Sequence, residues 1–113
     1  FSTVAVQTGM PYHASIAAAK GAVEGLTRSL AAEFAPAIRV NCIAPSLTNT
    51  PLAERLLNNE AKMTAAKERH PLKRIGSAAE TAELAAFLLS DKSAFITGQV
   101  IKIDGGISSL KLM

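Results

Sequence analysis

Residues 16–34 read IAAAKGAVEGLTRSLAAEF, a long run with almost no bulky side chain. It lies between two short runs, FSTVAV and IRVNCI, that are rich in β-branched residues. From about His13 to Phe34, the apolar residues Ile16, Val23, Leu26, Leu30 and Phe34 recur at three- and four-residue spacing. That spacing predicts an amphipathic helix. Ala17, Ala18, Ala19, Gly21, Ala22 and Gly25 keep much of its surface small, so a sheet or a second helix can approach closely. Pro36 ends the helix, because its ring and its missing N–H cannot be continued into another turn. A helix of this length between two apolar strands leaves little choice of topology. Its ends lie too far apart for a hairpin, so the strands it joins run parallel.

The rest of the chain repeats the alternation. Phe1–Val6 reads as a first strand, and Gly9 and Pro11 break the chain after it. Ile38–Ile43 reads as a second strand, apolar enough to be buried on both faces. Residues 44–51 carry prolines and hydroxyls and read as a loop. Leu52–Arg69, rich in Ala, Glu, Lys and Leu, predicts one or two short helices, stopped at His70-Pro71. Ser77-x-x-Glu80 is a capping box opening a helix to about Ser90, with Leu84, Phe87 and Leu88 on its apolar side. Thr97–Ile103 is a last strand closed by Asp104-Gly105-Gly106, which reads as a turn. The expected fold is α/β, about three parallel strands with flanking helices, in one domain over residues 1–113.

Composition narrows the function classes. The 12 basic and 9 acidic residues are scattered, with no stripe and no aromatic interleaving, which argues against nucleic-acid binding. No apolar run is long enough to span a bilayer, and no signal peptide is visible. Cys42 is the only cysteine, so no internal disulfide forms and a reducing, cytoplasmic setting is expected. Its apolar surroundings mark it as a small core residue. His13 and His70 have no partners at metal-ligand spacing, so no metal site is expected. Glu24 and Glu33 read as solvated helix residues, and Asn41 as a strand-end contact.

Four motifs fall in an order that points to one family. IAAAKGAVEGLTRSLA resembles the active-site helix of the short-chain dehydrogenase/reductases, where Tyr-x-x-x-Lys is followed by small apolar residues. IRVNCIAPSLTNTPL resembles the family's buried strand followed by Pro-Gly-x-x-x-Thr. HPLKRIG resembles its Pro-Leu-x-Arg-x-Gly, and FLLSDKSAFITGQVIKIDGG its closing helix, strand and Asp-Gly-Gly. The resemblance covers almost the whole chain and implies the C-terminal half of a Rossmann-like parallel sheet. The family's opening strand and glycine-rich turn, whose amides hold the cofactor pyrophosphate, have no counterpart in these residues.

The resemblance also implies a chemistry. In the family a tyrosine exchanges the substrate proton, and a lysine lowers its pKa and holds the nicotinamide ribose. A serine thirteen residues before the tyrosine polarises the substrate oxygen. Lys20 matches the lysine, but Ile16 fills the tyrosine position and cannot exchange a proton. Counting back thirteen from Ile16 reaches Thr3, whose hydroxyl stands where the serine would, with Ser2 the alternative if the register slips by one. Tyr12 would lie roughly 12 Å from Lys20 along a continuous helix. Only by folding back would Tyr12 or His13 supply the missing acid. Lys20 also has a plainer reading, as a surface lysine lying along its helix.

Thr48 and Thr50 match positions near the nicotinamide carboxamide and the diphosphate, and Ser46 stands where glycine is usual; all three are equally well read as turn hydroxyls. Leu52–Arg69 corresponds to the family's substrate lid, or to a plain surface helix pair. The implied activity is NAD- or NADP-dependent hydride transfer at a carbonyl or alcohol, with the isolated chain inactive. The alternative is a non-catalytic, oligomerising descendant. Either way the open edge of the first strand and the small-residue helix predict a homo-oligomer.

Overall fold

A computed structural model describes residues 1–111 of the chain. At its centre, β1 (Cys42–Pro45) and β4 (Val100–Ile103) pair in parallel, with Cys42 opposite Val100 and Pro45 opposite Ile103. Cys42, Ile43 and Ala44 are all buried, so β1 is covered on both faces, as its unbroken apolar run predicts.

Both strands are shorter than the sequence suggests. Residues 38–41 contribute no strand because their polar groups are taken by the turn before β4. Gly98 donates to the Val40 carbonyl at 2.7 Å, and the Val40 amide donates to the Thr97 hydroxyl. The Asn41 amide nitrogen donates to Ile96 O and its oxygen accepts from Gln99 N, which is the strand-end contact expected of it. Gly98 has φ +70°, a left-handed conformation open to glycine, and it delays β4 until Val100.

The first expected strand is replaced by something different. Residues 5–8 form a short helix, α1 (Ala5–Thr8), closed by Gly9 at φ +64°. Residues 2–4 still run beside β1: Ser2 N donates to Ile43 O at 2.8 Å and Val4 N to Pro45 O at 3.2 Å. The answering bond of that rung would have to come from the amide of Pro45, which has no hydrogen. A third parallel lane therefore exists without a regular ladder.

α2 (Ala14–Phe34) fills its predicted span and stops before Pro36. Its buried side is not the stripe of large residues. Glu24, Thr27 and Ala31 are buried, and a methyl added at Gly21 would meet Val6 at 3.8 Å. Ile16, Leu26 and Phe34 are exposed at 41%, 56% and 40%. The buried side is the narrow band of Glu24, Thr27 and Ala31; Ala18, Ala19 and Ala22 are exposed, and the bulky stripe is turned partly outward. Glu33 is exposed as expected, but Glu24 is not solvated: it is buried and accepts a 2.6 Å hydrogen bond from the Ser2 hydroxyl.

After β1 a second parallel pair forms, β2 (Thr48–Asn49) against β3 (Gly76–Ser77). The chain between them makes a helical flap: a 3-10 turn (Pro51–Ala53), α3 (Glu54–Leu57) and α4 (Glu60–Arg69). Ala53, Leu57 and Ala66 form the flap's own small core, packed with Leu47, Met63 and Ile75. The capping box opens α5 (Ala78–Leu89) as predicted, and Leu88 is its buried apolar residue, while Phe87 is 39% exposed. Arg39, one of the scattered surface charges in the sequence, reaches instead into the α5–β4 connection. It donates to Ser93 Oγ, Ser90 O and Ile96 O.

Candidate functional site

The residues singled out from the sequence gather at two places. The first is where α2 crosses the N-terminal lane. Lys20 is half-buried, and its ammonium donates to the Phe1 carbonyl at 3.1 Å. That single bond leaves the other ammonium hydrogens for a ligand. Thr3 lies two residues along the same lane. Its Oγ1 accepts from the Ala5 amide at 3.3 Å, which leaves its own hydroxyl proton to donate. Neighbouring side chains on an extended lane point to opposite sides. Ser2 is turned towards α2 and bonded to Glu24, so it is not available as the alternative to Thr3.

Ile16 sits one turn before Lys20 on α2, partly exposed, and offers no proton. Neither rescue is made. Tyr12 is fully exposed, lies outside the helix, and has a left-handed backbone at φ +64°. His13 precedes the helix, with its Nδ1 held 2.7 Å from the Pro11 carbonyl.

The second place is the strand-end loop. Thr48 Oγ1 donates to Ser46 O at 3.1 Å, and Thr50 sits at the start of the 3-10 turn. Thr50 lines an open cleft of about 430 Å³ together with Asn49, Pro51, Glu54, Leu57 and Met63. The flap forms one wall of that cleft.

One pairing in this region is not apparent from the sequence. Ser46 Oγ lies 2.9 Å from His70 Nε2, and His70 Nδ1 lies 2.7 Å from Ala66 O, although His70 reads in the sequence as an isolated residue. At the end of β4, burial alone would raise the Asp104 carboxyl. Hydrogen bonds from the Ser108 hydroxyl and from the amides of Gly106 and Ser108 outweigh it and hold Asp104 below the ordinary range. The Asp-Gly-Gly turn is thus a closed polar knot. No group of three or more metal-ligating side chains occurs among the described residues, and no helix there is long and apolar enough to cross a membrane.

Parallel lanes joined by a lysine-bearing crossover helix, with a helical flap over a strand-end cleft, define the C-terminal part of a Rossmann-like α/β fold. A family model described as enoyl-(acyl carrier protein) reductase matches residues 1–108. The chain belongs to the short-chain dehydrogenase/reductase family. It is 41% identical over 115 residues to a protein of Xanthobacter autotrophicus named inactive 2-(S)-hydroxypropyl-CoM dehydrogenase 2, covering 97% of this chain and 50% of that one. A 4-hydroxyisoleucine dehydrogenase solved with NADH is 35% identical, with a TM-score of 0.90 over 97% of this chain and 46% of that one. A gluconate 5-dehydrogenase from Burkholderia cenocepacia, solved with NADP and tartrate, is 34% identical, with a TM-score of 0.89 over 97% and 44% of the two chains. The chain spans about half the length of these relatives, or less.

Lys20, with ammonium hydrogens left over beyond its Phe1 bond, is chemically suited to ribose hydroxyls; Thr50 lines the cleft, while Thr48 Oγ1 is bonded to Ser46 O. For the pyrophosphate there is no glycine-rich turn leading into a helix.

Proposed function

We propose that this chain carries the lysine-bearing half of an NAD(P)-dependent oxidoreductase scaffold and does not turn over by itself. The observation that carries this reading is Ile16, standing one helical turn before Lys20 where a proton donor is needed. Bound, a nicotinamide would give or take hydride. The chain's own residues would do the rest. Lys20 would hold the ribose, Thr3 would donate its hydroxyl proton as a hydrogen bond to a substrate oxygen, and Thr48 and Thr50 would position the ring and its phosphate. Thr3 does not replace a phenol, because a threonine hydroxyl is too weak an acid to exchange protons readily at neutral pH. The substrate class is a carbonyl or alcohol, and a reducing compartment suits the single cysteine.

Titrating NADH and NADPH against the chain and following cofactor fluorescence tests the binding half of this reading. Weak saturable binding that is lost in Lys20→Ala supports it; no binding at millimolar cofactor removes it. In a longer protein containing this segment, Ile16→Tyr should raise reductase activity. No gain there would show that the proton arrives by another route.

A second reading is favoured by the exposed stripe of Ile16, Leu26 and Phe34 on α2. A non-catalytic module that pairs with a second copy through this helix, or through the N-terminal lane, would bury that stripe.

A further inference from the structure

We infer that Ser46 and His70 form a paired latch that pins the C-terminal end of the flap to the loop carrying Thr48 and Thr50. Nδ1 of His70 faces a backbone carbonyl at 2.7 Å, and a carbonyl oxygen can only accept, so Nδ1 carries the proton. In the neutral ring Nε2 is then an acceptor, and the Ser46 hydroxyl donates to it at 2.9 Å. The chain of bonds runs from Ala66 in α4, through the imidazole, to the first residue after β1. Ser46 is anchored in turn, since its amide donates to Ile103 O on β4.

The imidazole is enclosed and held at both ring nitrogens. His70 is 2% exposed, and a methyl added at Gly105 would make only an ordinary contact with its Cδ2, at 3.5 Å. Leu72 N donates to Gly105 O and Lys73 N to His70 O, which fasten the flap's exit on the same side. At the flap's entrance Leu52 is 95% exposed and Leu56 60% exposed, while Ala53 and Leu57 are buried in the flap's core. A glycine at position 46 would have no side chain to offer His70, so the serine converts a loose contact into a fixed one. Both residues act by positioning; neither is assigned contact with a substrate.

Hydrogen exchange on the whole chain, without cofactor, tests this separately from any claim about nicotinamide binding. Ser46→Ala should speed exchange of the Ser46 and Gly76 amides on the loop side and of the His70 and Lys73 amides on the flap side. The rise should be joint and roughly five- to tenfold, the loss of one buried hydrogen bond. Ala53 and the amides of α5 should not change. Ser46→Thr should restore the wild-type rates. His70→Asn, whose side-chain nitrogen can keep the Ala66 bond while dropping the Ser46 link, should behave like Ser46→Ala. An increase on one side only, no increase, or an equal increase throughout α5 would overturn the latch. Nitrogen NMR of the unaltered protein gives an independent reading: a proton on Nδ1 with Nε2 bare supports it, and the opposite neutral tautomer sinks it.

Discussion

Replacing Ser2 with alanine separates the two descriptions of Glu24 cleanly. If Glu24 were a solvated helix residue, losing a hydroxyl elsewhere would leave stability within about 0.5 kcal/mol of the original. The structure places both residues at 5% exposure, with the hydroxyl donating to the carboxyl at 2.6 Å across 22 residues of sequence. Ser2→Ala removes that donor and leaves the carboxyl in a site closed to water. Hydrogen bonds to charged groups are worth about 1.5–3 kcal/mol, and an abandoned buried partner adds to the loss, so a cost of about 2–3 kcal/mol is expected. Glu24→Gln keeps an acceptor of the same shape and should cost only about 1 kcal/mol. Ser2→Ala combined with Glu24→Leu removes both polar partners, and should recover much of what Ser2→Ala alone loses. Urea unfolding at one fixed protein concentration gives the four values, with unchanged denaturant slopes confirming that stability alone has moved. If Ser2→Ala lies within about 0.5 kcal/mol of wild type, or if the two changes simply add, the buried pairing is wrong, and with it the docking of the N-terminal lane on α2.

Three further outcomes can be checked. The Arg74 guanidinium, and after it the Ser77 amide, hold the Glu80 carboxyl down from an ordinary 4.5 to about 2. Because its folded pKa is depressed, the stabilisation is fully present above pH 4.5 and fades as pH falls towards 2; Glu80→Gln should flatten thermal midpoints across that window. Arg39→Lys keeps the charge but cannot reproduce a guanidinium that bonds Ser93, Ser90 and Ile96 together, so a loss of about 1–2 kcal/mol in denaturant unfolding is expected. Leu26→Lys with Phe34→Lys should reduce the mass measured by light scattering if α2 joins two copies. A monodisperse monomer of the unaltered chain at high concentration would refute that association.

Local signals carried well where the physics is local. The capping box at Ser77 and Glu80, the stop at Pro36 and the Asp104 turn all depend on residues within a few positions of one another, and each appears in the structure as the sequence implies. The lysine and the missing phenol are equally plain, because Ile16 and Lys20 are one turn apart on one helix. Strand limits were less legible. Phe1–Val6 has strand composition, yet Pro45 on the neighbouring strand lacks the hydrogen that would complete the ladder. The spacing of Ile16, Leu26 and Phe34 announces a helix but does not say which side is buried. The buried band is Glu24, Thr27 and Ala31, and only the packing of the neighbouring lane reveals that.

What the sequence alone determined is the long helix and the buried strand after it, the parallel arrangement, the family, and an isoleucine one turn before Lys20. These follow from backbone chemistry and from side chains whose spacing is set by a single helix or turn. Only the tertiary structure decided that Glu24 is buried against Ser2, that Arg39 clamps a distant connection, and that His70 locks onto Ser46. Each of those contacts joins residues more than twenty positions apart, and a hydrogen bond over such a separation exists only once the packing has brought its two ends together.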